Sequence, residues 1–257
     1  MRFALETRFG RDAATEFTDR LIDLIQGSGG EVVDTDTRPD MVVSAGGDGT
    51  MLGAVQHALA WDVPVLGFNL GTLGFLAQAE PGDARVVVER VLAGNYAVEE
   101  RMTVAATVGE TTVTGVNDVV VEKVDTTRLI SLEVTVDGEP FVTYRADGLI
   151  VATPTGSTAY SFSAGGPLID PRVEALVMTP VASHSLFDRA LVLPASTVIG
   201  LRVNRDRVVR ANVDKTVLGI LAEGQSAEIR RGAKPARFVA FGDRDFPGLI
   251  KDKFGLG

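Results

Sequence analysis

Along the first hundred residues, short apolar runs alternate with segments whose apolar positions recur at helical spacing. "FALET" reads as a strand, and in "DAATEFTDRLIDLIQGSGG" the residues Ala13, Phe17, Leu21 and Leu24 share one face of a helix that Gly27, Gly29 and Gly30 end. "EVVDT" and "DMVVSA" predict further strands, "TMLGAVQHALA" a helix, "VPVLGFN" a buried strand and "DARVVVERVLAG" another helix. Such alternation predicts a parallel sheet covered by helices.

Past residue 100 the helical period fades. Val/Thr/Ile-rich runs follow one another between turn signals: "MTVAATV", "VNDVVVE", "LISLEVTVDGEP", "LIVATP", "RALVLP" and "TVIGLRVN". Asp137-Gly138 is a hairpin signal, because both residues tolerate the left-handed backbone that joins two strands. The last twenty residues switch back, with "RFVAFG" as a strand and "FPGLIKDKFG" as a helix, and are expected to return to the first domain. The expected fold is α/β plus β. A Rossmann-like N-terminal α/β domain takes residues 1–100 with 236–257, and a β-rich, sandwich-like domain takes residues 101–235.

Composition narrows the chemistry. The 257 residues include no cysteine and two histidines, His57 and His184, which excludes disulfides, thiolate zinc sites, cysteine nucleophiles and an all-histidine metal centre. His57 is expected to pack or cap on its helix and His184 to sit in a loop. A net charge of −9, with no Lys/Arg cluster to offset it, argues against nucleic acid. The uncharged run from Val63 to Ala79 holds three glycines, a proline and an asparagine, a poor membrane span. The opening "MRFALETRFG" carries Arg2, Glu6 and Arg8 and offers no apolar core for a signal peptide, so a cytoplasmic chain without membrane contact is expected.

Four stretches carry candidate chemistry. In "VVSAGGDGTMLGAV" the glycines let the backbone turn at a strand end, and the helix that follows offers unpaired N–H groups to phosphate. Asp48, with no neighbouring side chain to hold it, then stands beside a polyphosphate, a poor place for a carboxylate unless a metal or a proton donor is also there, the combination that phosphoryl transfer uses; the plainer alternative is an Asp near a helix N-cap. In "GFNLGTLGFLA", Asn69, Gly71, Thr72 and Gly74 are expected at the same sheet edge, with Leu73, Phe75 and Leu76 packing. Residues 144–167 gather Asp147, Thr153, Thr155, Ser157, Thr158, Tyr160, Ser161 and Ser163 among glycines and two prolines. Hydroxyls and amides suit a ribose and a pyrophosphate, and an aromatic ring can stack on a base. In "VNDVVVEK", Asn117 and Asp118 either turn the chain or bind a ligand.

In this order, GGDGT, NLGTLGF, the Asn-Asp pair and DGLIVATPTGSTAYSFSAGGP resemble the NAD kinase family over roughly residues 40–195. GGDGT alone is shared with lipid kinases, whereas the TPTGSTAY element is far more specific. The resemblance implies phosphoryl transfer from ATP or polyphosphate to the 2′-hydroxyl of the adenosine ribose of NAD, giving NADP. It also implies Mg²⁺ or another divalent cation held largely by the phosphates, with no metal site of the protein's own, and a homodimer or homotetramer. By position, Asp48 matches the family's catalytic aspartate with Gly49 beside it. Asn117 and Asp118 match its dinucleotide-holding pair, and Asp147 the aspartate of its Asp-Gly element. Thr158, Ala159, Tyr160, Ser161, Phe162 and Ser163 match the segment around the adenosine, with Tyr160 as its wall, while Arg128 and Arg145 fall where the family places cofactor-contacting side chains.

Three departures mark this chain. Asp118 stands where the family has Glu, Gly53 stands where many members have Arg or Lys, and "NVDKTVLGILAEGQ" is only loosely similar to the closing motif, from which no residue is carried over. Two other readings stay open on sequence grounds: a lipid kinase on the GGDGT scaffold, and a dinucleotide-binding sensor without turnover.

Overall fold

In a computed structural model, which describes residues 1–7, 12–71, 74–77, 79–125, 127–204, 207–242 and 245–256 and leaves out the side chains of Asp12 and Ala13, the N-terminal alternation becomes a parallel sheet. Thr72, Leu73 and the Ala13 side chain lie outside the described residues. β1 (Arg2–Thr7), α1 (Asp12–Gly27), β2 (Glu31–Val33), β3 (Met41–Gly46), α2 (Asp48–Trp61), β4 (Val65–Asn69), α3 (Ala84–Leu92) and β5 (Ala97–Arg101) follow in order. Every residue of β3 and β4 is buried, which accounts for their unbroken apolar runs: both faces of a central parallel strand are covered. Phe17, Leu21 and Ile25 of α1, one helical face, pack on Phe3, Met41, Val43 and Phe68 of the strands.

The chain then forms twelve further strands among the described residues, β6 (Val104–Val108), β7 (Thr111–Gly115), β8 (Asp118–Lys123), β9 (Ile130–Val136), β10 (Glu139–Ala146), β11 (Gly148–Ala152), β12 (Ala175–Val181), β13 (Leu191–Pro194), β14 (Ile199–Val203), β15 (Val209–Val213), β16 (Thr216–Leu221) and β17 (Ser226–Arg231). They build two sheets, ordered β10-β9-β14-β17-β6-β7 and β13-β12-β11-β8-β15-β16. Side chains on successive strand residues point to opposite faces. Val119 and Val121 of β8 therefore join the core with Leu132, Tyr144 and Leu176, while Val120 lies on the other face with Ile150 and Val177. Asp137 (φ 51°) and Gly138 (φ 85°) make the tight turn between β9 and β10, as the Asp-Gly pair predicts. Between β11 and β12 lie a 3₁₀ turn, Thr155–Thr158, and the single-turn α4 (Tyr160–Ser163).

The C-terminal return appears as β18 (Ala236–Ala240) and α5 (Phe246–Phe254). β18 pairs parallel to β4 and completes the sheet β2-β1-β3-β4-β18-β5. The chain thus divides into Met1–Glu100 with Ala236–Gly257 and Arg101–Pro235. Among the described residues no helix is long and apolar enough to cross a membrane.

Candidate active site

The α/β unit presents Asp48. β3 ends at Gly46, Gly47 is the N-cap, and Asp48 opens α2 beside Gly49, where a carboxylate is favoured by the helix dipole. Asp48 is expected to lack a side-chain partner, and the groups that hold it are main-chain N–H groups. Its Oδ2 accepts the backbone N–H of Phe75 at 3.0 Å, and its Oδ1 that of Leu76 at 3.2 Å. Gly74 is what lets the loop come so close, since a Cβ there would lie 2.2 Å from Asp48 Oδ1. Phe75 is held in turn by α5, with Lys253 Nζ 4.9 Å from the centre of its ring. The C-terminal return therefore braces the loop that holds the carboxylate. Asn69 turns back on its own loop, its amide bonding the backbone of Gly71. At Gly53 a Cβ would lie 3.3 Å from the Glu6 carboxylate.

The β unit gathers most of the remaining candidates. Asn117 and Asp118 stand at the start of β8, paired with the end of β11 through Asp118 and Ala152. The Thr155–Thr158 turn packs directly on them: a Cβ at Gly156 would lie 2.1 Å from the Asn117 carbonyl oxygen. Thr153 donates its N–H to that oxygen at 2.8 Å. The Asn117 Oδ1 is buried and finds no hydrogen-bond partner among the described residues. Asp118 is 6% exposed, and burial, followed by the charge of Asp214, pushes its carboxyl up to about 7. Asp147 accepts Lys123 Nζ at 2.5 Å.

Tyr160 faces this group. Partial burial first, then the carboxylates of Glu122, Asp147 and Asp118, raise its phenol above the ordinary range. The ring remains 42% exposed, as is Phe162 at 38%, so α4 offers two aromatic surfaces. Ser161, between them, is turned inward with its hydroxyl 3.0 Å from that of Thr179. Thr158 bonds the Thr155 carbonyl, and Ala159 and Ser163 continue the turn through backbone bonds. Asn117, Asp118, Asp147 and Tyr160 are thus brought together, while the Ser161 hydroxyl is committed to packing.

The two arginines are placed differently. Arg145 on β10 is exposed, and its backbone ties down the loop at His184 and Ser185. Arg128 is exposed and lines a cavity of about 190 Å³ with Lys123, Asp125 and Arg207. His57 Nε2 bonds the Thr35 carbonyl oxygen at 2.7 Å rather than capping its own helix. Sequence reasoning missed Asp214, whose carboxylate receives the N–H groups of Val116, Asn117 and Asp118. It lies in "NVDKTVLGILAEGQ", whose loose likeness to the family's closing motif was too weak to carry any residue over. Among the described residues no three acidic or histidine side chains converge on a cation site.

With this geometry in place, comparison with known proteins gives a consistent result. Residues 31–96 match the family model of the ATP-NAD kinase N-terminal domain, and residues 116–241 that of the ATP-NAD kinase C-terminal domain. The chain is similar to NAD kinase 2 of Streptomyces avermitilis, 41% identical over 225 residues, covering 84% of this chain and 74% of that protein. It is 38% identical over 245 residues to the NAD kinase of Heliobacterium modesticaldum, covering 93% and 86%. Among solved structures, yeast NADH kinase complexed with NADH superposes with a TM-score of 0.88 at 25% identity, over 100% of this chain and 88% of that one. An NAD kinase from Archaeoglobus fulgidus in complex with ATP gives 0.79 at 25% identity, over 99% and 98%.

The burial of Asp118 has a stability consequence with a definite sign. Its folded pKa, about 7, lies above the ordinary value of 3.8, so the fold favours the protonated form. That contribution is fully present below the ordinary carboxylate pKa and is lost as pH rises through about 7. Asp118→Asn, neutral at every pH, is therefore expected to melt above the wild type at pH 8, by roughly 1–4 kcal/mol of stability, with the gap closing toward pH 4. Thermal melts across that range check this; a variant that melts below the wild type at pH 8 would contradict it.

Proposed function

The chain belongs to the NAD kinase family, and from that membership we propose that it transfers the terminal phosphoryl group of ATP to the 2′-hydroxyl of the adenosine ribose of NAD, producing NADP. The ribose oxygen forms a new bond to the γ-phosphorus, the bond from that phosphorus to the β,γ-bridging oxygen breaks, and ADP leaves. The hydroxyl proton needs an acceptor, and Asp48 fills that role. Its two backbone hydrogen bonds fix the carboxylate while each oxygen keeps lone pairs for a hydroxyl. The divalent cation enters with the donor's phosphates as part of the substrate.

The observation that carries the reading is the convergence of Asn117, Asp118, Asp147 and Tyr160, drawn from three stretches of sequence, on one polar cluster. Asp118 receives the adenosine ribose hydroxyls, Asn117 supplies an amide beside it, and Tyr160 presents a ring for the base. Gly49 takes the donor side next to Asp48, and the backbone of Thr158–Ser163 lines the adenosine. Arg128, Arg145 and Asp147 complete the dinucleotide contacts. A lipid kinase would need an apolar acceptor channel, which a cluster of two carboxylates and an amide does not provide. Polyphosphate as a donor, a cytoplasmic location and a homodimer or homotetramer belong to the same proposal.

The direct test incubates the pure protein with Mg²⁺, ATP and either NAD or diacylglycerol; NADP is expected and phosphatidate is not. Asp48→Asn is expected to lower kcat by about 10²–10⁴ while the Kd for NAD stays within a few-fold, because an amide cannot take the proton. Near-normal kcat in a folded variant would remove Asp48 from that role. Tyr160→Ala is expected to weaken NAD by roughly 1–3 kcal/mol of stacking, measured by isothermal titration. Unchanged affinity would leave the ring as a surface side chain.

A further inference from the structure

The turn between β15 and β16 carries Asp214 and Lys215, and it does more than reverse the chain. Asp214 takes a left-handed backbone (φ 50°), uncommon outside glycine and commonest in Asn, Asp and His. In that conformation its N–H donates to the Asp118 carbonyl oxygen at 2.9 Å. Its Oδ2 accepts the Val116 N–H at 2.9 Å, and its Oδ1 accepts those of Asn117 at 2.9 Å and Asp118 at 3.2 Å. Four hydrogen bonds thus join one residue to three consecutive residues nearly a hundred positions earlier. The fit leaves no spare room, since a Cβ at Gly115 would lie 2.8 Å from Asp214 Oδ2.

We infer that Asp214 is a positioning residue for acceptor binding: its carboxylate fixes the backbone of residues 116–118, and so sets where Asn117 and Asp118 present their side chains. This rests on the assignment of Asp118 to the ribose. The arrangement is more than a structural tie, because the anchor is itself an anion beside the group it places. A neutral anchor would hold the backbone without making Asp118 harder to ionise. The titratable groups facing Asp118 are Asp214 from the hairpin and Tyr160 from α4, and the neighbouring strand β11 presents the uncharged Ala152. Tyr160 is in turn faced by Glu122 and Asp147.

The test separates geometry from charge. Asp214→Asn keeps an Oδ1 able to accept from Asn117 and Asp118 but removes the charge, whereas Asp214→Ala removes both. With kcat/KM for NAD measured from pH 5.5 to 9, Asp214→Asn is expected to move the acid limb down by at least about half a pH unit, since Asp118 then ionises more readily. Asp214→Ala is expected to raise KM for NAD at pH 8 by about tenfold, with kcat changed less. Asp118→Asn serves as reference and is expected to raise KM for NAD by roughly 10–100-fold and to abolish the limb. If the reference responds so but Asp214→Ala leaves KM for NAD unchanged, the positioning role is overturned and the ribose assignment stands. If the reference does not respond, the ribose assignment itself fails and the inference falls with it. Should Asp214→Ala not fold, the Asn variant alone decides.

Discussion

Carboxylates clasped by backbone N–H groups organise both candidate clusters. In the α/β unit, the loop at Phe75 and Leu76 gives two N–H groups to Asp48. In the β unit, Asp214 collects three from the segment that carries Asn117 and Asp118. Hydrogen bonds to a charged acceptor are shorter and stronger than neutral ones, so they add to the burial of Leu76 and Val116 in fixing these segments. Everything proposed about reactivity depends on these clasps. One keeps the carboxylate proposed as proton acceptor in place while leaving it lone pairs, and the other fixes the segment proposed to meet the dinucleotide.

Much of this architecture was legible in the sequence, for a reason that also marks the limit. Apolar periodicity reports burial, so the buried strands β3 and β4, the strand character of β8 and β9 and Phe17 and Leu21 on the face of α1 could be read directly, whereas Ile25 rather than Leu24 completes that face. The Asp-Gly turn after β9 and the C-terminal return were legible because glycine, proline and aspartate mark turns and caps through their own backbone preferences. β5 left little trace: four of its five residues are exposed, so no alternation betrays it. At the site, GGDGT and the long TPTGSTAY stretch stood out through composition. The clasps did not, because the donors are main-chain groups that any residue could supply. Asp48 and Phe75 lie 27 positions apart, and Asp214 lies 96 to 98 positions from its donors. Ser161 was read with its polar neighbours because a single helical turn has no period to show that its hydroxyl faces inward.

As an ionised carboxylate, Asp118 costs the fold stability. A carboxylate 6% exposed and next to a second carboxylate would be better replaced by a neutral side chain on stability grounds alone. Its place is intelligible if it binds. A desolvated carboxylate gains more from the hydroxyls of an incoming ribose than one already satisfied by water. The departure from Glu at this position shortens the side chain, and Asp214 binds both the N–H and the carbonyl oxygen of the same residue.

The most direct measurement is the proton balance of NAD binding, taken by isothermal titration at pH 6.5, 7.5 and 9 in buffers of different ionisation enthalpy. If Asp118 is protonated in the free protein and ionised when it accepts the ribose hydroxyls, binding releases protons. With the free carboxyl at about 7, we expect the release to be about three-quarters of a proton at pH 6.5 and to vanish by pH 9. Binding with no proton release at any of these pH values, in a protein that holds NAD, would contradict the assignment of Asp118 to the acceptor.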